Sequence, residues 1–119
     1  LLQILEAIRI TFDKKKIMGL LDVLGFGNKA NEVQEYVQKG AVILDVRTPE
    51  EFAEGHIKGS KNIALQVLNG KVSEIKKWNK PVIACCRSGM RSAQATAILK
   101  QNGIDCINGG GWNSLEGKL

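Results

Sequence analysis

The sequence predicts an α/β fold in which a central, mainly parallel sheet of four to five strands is flanked by helices on both faces. Two observations carry the prediction. Apolar runs of strand length occur at residues 41–46, 81–85 and 104–107, and an unbroken apolar run is what a strand covered on both faces requires. Between these runs the apolar residues recur at helical spacing, so strand and helix alternate along the chain and supply the crossovers that parallel strands need.

Leu1, Ile4, Leu5, Ile8 and Phe12 lie three or four residues apart, which predicts an amphipathic helix over the first dozen residues. Its apolar stripe calls for a partner: the body of the domain, a second subunit, or, as the weaker alternative for residues 1–16, a membrane surface. Residues 17–27 are apolar but carry Gly19, Gly25 and Gly27, which break a long helix. Asn28 or Asn31 is placed to cap a helix carrying Val33, Tyr36 and Val37 and closed by Gly40. The run 41–46 then reads as a central strand. Thr48 as cap, Pro49 at the first helical position and Glu51 three residues after the cap announce a short helix that Gly55 stops.

Residues 55–60 read as a turn and 61–64 as a short strand. Leu65, Val67, Leu68, Val72, Ile75 and Trp78 give a helical pattern weakened at Asn69-Gly70, hence two helical pieces or one with a break. Strand 81–85, a loop, and a helix over 92–102 ended by Gly103 follow. After strand 104–107, Gly109-Gly110-Gly111 is expected to form a tight turn before a short terminal helix.

A length of 119 residues with 44% hydrophobic and 24% charged residues fits one soluble globular domain able to bury a core without disulfides. Residues 28–119 are expected to form that domain, with 1–27 as an N-terminal extension. The first residue is Leu1, so the chain is expected to be a fragment or a processed product, with Met18 a candidate natural start. No run reaches the roughly 18–20 apolar residues of a membrane span. The net charge of +5 is spread out, and Lys14-Lys15-Lys16 is too short a cluster to indicate nucleic acid. Cys85 and Cys106 lie in apolar runs and read as buried, reduced thiols, which favours a cytoplasmic location over an exported or periplasmic one.

The chemistry concentrates in Cys86-Arg87-Ser88-Gly89-Met90-Arg91-Ser92, between an interior strand and a helix. A loop ending at a helix start offers unpaired N–H groups and the positive end of the helix dipole. Gly89 permits a tight curl, and Arg87 and Arg91 add positive charge. Cys86 is therefore read as a nucleophile whose thiolate the loop amides cradle.

These residues resemble the rhodanese family. Asp45-Val46-Arg47 after a strand, Glu51-Phe52 with Gly55-His56-Ile57-Lys58-Gly59, the loop 86–92, and Gly109-Gly110 before Trp112 match it in order and spacing over residues 28–116. The resemblance implies a sulfurtransferase. Cys86 would take a sulfane sulfur from a donor such as thiosulfate, hold it as a persulfide, and pass it to cyanide or a thiol, with a sulfur-accepting protein as a further partner. It also implies that Arg87 and Arg91 help bind the anionic donor and that backbone amides of Arg87, Ser88, Gly89, Met90 and Arg91 hold the persulfide. Lys58 and Ser60 depart from the residues the family often has there, and 1–27 has no counterpart in its core.

Other residues read as structural support. Asp45, ending an interior strand, would be costly to bury unpaired and reads as an anchor for loop amides or an arginine rather than as a catalytic acid, and Arg47 reads as structural support. Arg91 in turn has Asp45, Glu51 or substrate as candidate partners. His56 is the single histidine and reads as a turn-stabilising hydrogen bonder, Ser92 as the helix start, and Trp112 as packing beneath the loops. No metal or cofactor is expected. Two rival functions remain: a cysteine phosphatase, since Cys85, five residues and Arg91 formally fit its pattern, and a non-catalytic regulatory binding domain.

Overall fold

The computed structural model describes residues 29–119. The expectations for residues 1–28, including the amphipathic helix and the Asn28 cap, lie outside the described residues. Helix α1 (Lys29–Gln38) leads into β1 (Val42–Asp45), α2 (Pro49–Glu54) and β2 (Lys61–Asn62). A 3-10 helix (Leu65–Lys71) and α3 (Val72–Lys77) then precede β3 (Val82–Cys86), α4 (Met90–Gln101), β4 (Cys106–Gly111) and α5 (Trp112–Glu116). The four strands pair in parallel in the order β2-β1-β3-β4. The 65–78 stretch forms two helical pieces, but they meet at Lys71 and Val72, and Asn69-Gly70 lies inside the 3-10 helix and does not interrupt it.

Side-chain alternation along β3 divides the core in two. Val82, Ala84 and Cys86 join Leu44, Leu68, Ile75 and Leu99 under the 3-10 helix, α3 and α4. Ile83 and Cys85 point to the opposite face, with Val33 of α1 and Leu115 of α5. Each fully buried Leu, Ile or Val contributes about 1.5–3 kcal/mol relative to exposure, so both faces hold the sheet. α2 begins with the full capping box: Thr48 Oγ1 accepts from the Glu51 amide, and the Glu51 carboxylate accepts from the Thr48 amide.

Three boundaries differ from the sequence expectation. β3 extends through Cys86, and α4 starts at Met90, so the connecting loop is only residues 87–89. The short strand after residue 60 stops at Asn62, where Asn62 Nδ2 donates to the carbonyls of Asp45 and Arg47 and turns the chain. The glycine triplet is no turn but the end of β4. Ala84 pairs with Asn108 and Cys85 with Gly110, which leaves Gly109 as a bulge. A side chain at Gly109 would sit 2.8 Å from Ile83 and 2.9 Å from Leu115, and Gly110 has φ +83. Glycine thus lets the strand continue through a kink that side chains would forbid.

Candidate active site

β3 ends at the carboxyl edge of the sheet, where open parallel sheets bind ligands, and its last residue is Cys86. The side chain is fully buried, not in the polar setting its neighbours Arg87 and Ser88 suggest. The reason is alternation: Cys86 takes the face that α4 covers, and the chain becomes polar only after it.

The Cys86 sulfur occupies the position of a helix cap. Gly89 precedes α4 with φ +101 and offers no capping side chain. In its place Cys86 Sγ accepts from the Gly89 amide at 3.0 Å and from the Ser92 amide at 3.4 Å. Ser92 is the third residue of α4, whose amide a capping oxygen would otherwise take. The Ser92 hydroxyl lies 3.3 Å from the sulfur. Burial by itself pushes the Cys86 thiol up, but the Ser92 hydroxyl contact and the amides of Ser92, Gly89 and Ser88 outweigh it and hold the thiol below its ordinary value. The other two cysteines behave oppositely. Burial, with Asp45 nearby, pushes Cys85 up to about 12, and burial raises Cys106. All three are unpaired thiols. Since Cys85 lies on the far side of the sheet from α4, a phosphatase loop counted from Cys85 has its thiol on the wrong face.

Two ion pairs brace the site. Arg91 in the first turn of α4 makes a bidentate pair with Glu51 of α2, at 2.7 and 3.0 Å. That pair ties together the two helices that follow the central strands β1 and β3. The Arg91 hydrogen bonds hold the Glu51 carboxyl down to about 2. Asp45 and Arg47 form the second pair, buried, with Nη2 to Oδ2 at 2.6 Å and Nε to Oδ1 at 2.9 Å. Arg47 also donates to the carbonyls of Glu51 and Gly55, closing the end of α2. Its guanidinium sits over the Trp112 ring, 4.8 Å from the centroid. His56 is engaged with Phe52: Nδ1 donates to the Phe52 carbonyl at 2.8 Å and the rings stack.

The remaining predicted residues line the rim. Arg87 and Ser88 are exposed, and Met90 is 75% exposed. Beneath them the loop backbone rests on β4: a side chain at Gly111 would come 2.7 Å from the Arg87 carbonyl oxygen. Sequence reasoning missed Asn108. Its Oδ1 accepts from the Ser92 hydroxyl at 2.6 Å and the Gly110 amide at 2.9 Å, and its Nδ2 donates to the Gly89 carbonyl at 3.1 Å. The available signal was alternation, since Cys106 and Asn108 share the parity that faces α4 and Asn108 is polar. Among the described residues no group of three His, Cys, Asp or Glu side chains is placed to hold a metal ion.

Comparison with known proteins agrees with this architecture. The chain is 40% identical over 81 residues to the uncharacterized protein YqhL of Bacillus subtilis, covering 66% of this chain and 64% of YqhL. It is 40% identical over 62 residues to a sulfurtransferase of Allochromatium vinosum, covering 52% of this chain and 57% of that protein. The chain thus spans about six-tenths of the length of these relatives. Among solved structures, the reduced CoADR-RHD of Bacillus anthracis superposes with a TM-score of 0.62 at 34% identity, over 75% of this chain and 16% of that one. The family model for the rhodanese-like domain matches residues 29–118, the whole of the sheet and its helices, and the chain belongs to that family.

Proposed function

We propose that the protein is a sulfurtransferase that carries one sulfane sulfur on Cys86, taking it from a small anionic donor such as thiosulfate and giving it to cyanide or another thiol. The observation that carries this reading is the convergence of the Gly89 and Ser92 amides on the buried Cys86 sulfur at the start of α4. Amides so oriented stabilise an anion without reorganising. The Cys86 thiolate attacks the outer sulfur of thiosulfate, the S–S bond breaks, and sulfite leaves with the bonding electrons. Cyanide then attacks the outer sulfur of the persulfide, leaves as thiocyanate, and returns the electron pair to Cys86.

Arg87 is exposed at the loop rim, where it meets an arriving anion. Arg91 is already paired with Glu51 and contributes positive potential beneath the loop. Kinship with the Allochromatium vinosum sulfurtransferase supports the reaction class. A sulfur-accepting protein is a natural second acceptor, because the rim side chains Met90 and Arg87 are exposed. The test is incubation with thiosulfate, removal of the donor, and intact-mass measurement with peptide mapping. One added sulfur on Cys86, released by cyanide as thiocyanate, is expected. An unlabelled protein, or a Cys85-Cys86 disulfide, overturns the reading in favour of a regulatory domain.

A further inference from the structure

The hydrogen bonds around Ser92 leave its hydroxyl proton one place to go. Asn108 Nδ2 faces a carbonyl, that of Gly89, which only accepts, and Asn108 Oδ1 faces the Gly110 amide, which only donates. These two contacts fix the orientation of the amide group and make Oδ1 an acceptor. The Ser92 hydroxyl, 2.6 Å from Oδ1, must therefore donate to it. Having spent its single proton there, the hydroxyl can only accept at its other contact, the 3.3 Å one with Cys86 Sγ. That arrangement suits the thiol, whose S–H points at Ser92 Oγ. It does not suit the anion, to which Ser92 would present a lone pair; the contact favours the thiolate only once the hydroxyl turns and donates to the sulfur.

We propose that Asn108 is a positioning residue that competes with the Cys86 sulfur for the Ser92 hydroxyl proton, so that ionisation of Cys86 turns the hydroxyl from Asn108 to the sulfur. As the thiol proton passes to solvent, the Ser92 O–H rotates about its C–O bond, the 2.6 Å contact to Asn108 lapses, and a charged hydrogen bond to sulfur replaces it. Asn108 Oδ1 keeps the Gly110 amide and is not orphaned. The competition limits how much thiolate the loop holds at rest. It deepens the sulfur-carrier reading, on which its relevance to turnover rests, but the competition itself is a property of the resting thiol.

The charged and titratable groups on the surrounding elements are Cys85 on β3, Cys106 on β4, Arg87 on the loop, Arg91 on α4, Glu51 on α2, and Asp45 with Arg47 at the end of β1. None is changed by substitution at Ser92 or Asn108, so their influence cancels in a double-mutant cycle. The cycle uses the pH dependence of Cys86 alkylation in wild type, Ser92→Ala, Asn108→Ala and the double variant, with Cys86 modification identified by peptide mass. The Asn108→Ala change frees the hydroxyl, and the thiolate-to-thiol ratio at a given pH should rise about five-fold, the worth of one neutral hydrogen bond. In the Ser92→Ala background that rise should vanish. An equal effect in both backgrounds, or a fall in thiolate, refutes the competition and leaves Asn108 as a brace for the Gly89 carbonyl.

A second measurement needs no change at Asn108. The Asn108 side-chain amide resonances should titrate with Cys86 in the wild type and cease to do so in Ser92→Ala. Identical titration in the two proteins refutes the proposal even if Asn108→Ala does not fold. Neither measurement involves sulfur transfer, so a failed persulfide assay and a failed cycle are told apart.

Discussion

Replacing Arg47 with Met removes a cation that is 4% exposed and leaves the Asp45 carboxylate, 0% exposed, in the core without its partner. Asp45 loses contacts at 2.6, 2.9 and 3.0 Å to the guanidinium and keeps the one from the residue 47 amide. The carbonyls of Glu51 and Gly55 lose their donors as well. Stripping one member from a buried pair costs about 3–5 kcal/mol, because the remaining charge is both desolvated and unpaired. For a domain of this size one kcal/mol moves the midpoint by about 4–8 °C, so Arg47→Met should melt at least about 12 °C below wild type. The combined change Asp45→Leu with Arg47→Met removes the charge along with its partner and should recover at least half of the loss, the remainder being the two carbonyls. Thermal and urea unfolding followed by circular dichroism measure both. A single variant costing under about 1 kcal/mol, or a double variant no better than the single, would refute the account of Asp45 as a buried ion whose stability depends on Arg47.

The two adjacent cysteines should separate stability from chemistry: Cys86→Ser abolishes transfer with the fold kept, while Cys85→Ser costs about 1–3 kcal/mol with activity per folded molecule retained, as rates normalised to the folded fraction will tell. Gly111→Ala should drive a methyl group against the Arg87 carbonyl, lift the loop, and lower the transfer rate by about 10–100-fold with a smaller effect on melting. Glu51, held at about 2 against an ordinary 4.5, contributes stability that is complete above pH 4.5 and is lost as the pH falls toward 2. Urea midpoints of Glu51→Gln should accordingly change less with pH than wild type across that window; superimposable profiles would contradict the Arg91 pairing.

The fold was legible where a single physical rule dominates. Apolar runs placed β1 and β3, and Thr48-Pro49-Glu50-Glu51 announced a capping box that α2 has. The Gly109-Gly110-Gly111 stretch misled because local propensity for a turn lost to strand pairing, and only the contacts of Gly109 with Ile83 and Leu115 explain why glycine is there. Cys86 stands out as a candidate through its neighbours, yet its burial depends on the pleat of β3, and the polarity of Arg87 and Ser88 obscures it. Arg91 had three candidate partners in the sequence and has Glu51 in the structure, a choice made by the approach of α2 to α4 across 40 positions. Asn108 was invisible to motif reasoning because its three partners, Ser92, Gly89 and Gly110, meet only when β4 lies beside β3.

The sulfur that replaces a capping oxygen on α4 also makes the backbone a reporter. In most proteins an amide at a helix start exchanges its hydrogen with solvent at a rate set by fraying, and it says little about side-chain chemistry. Here the Gly89 and Ser92 amides have a side-chain atom as acceptor, and that atom is the one the proposed function makes the sulfur carrier. Alkylation, oxidation or ionisation of Cys86 therefore alters the bonding of two named amides directly, without an attached probe. Their nitrogen and proton chemical shifts form an intrinsic gauge of what the sulfur carries, readable in the intact molecule.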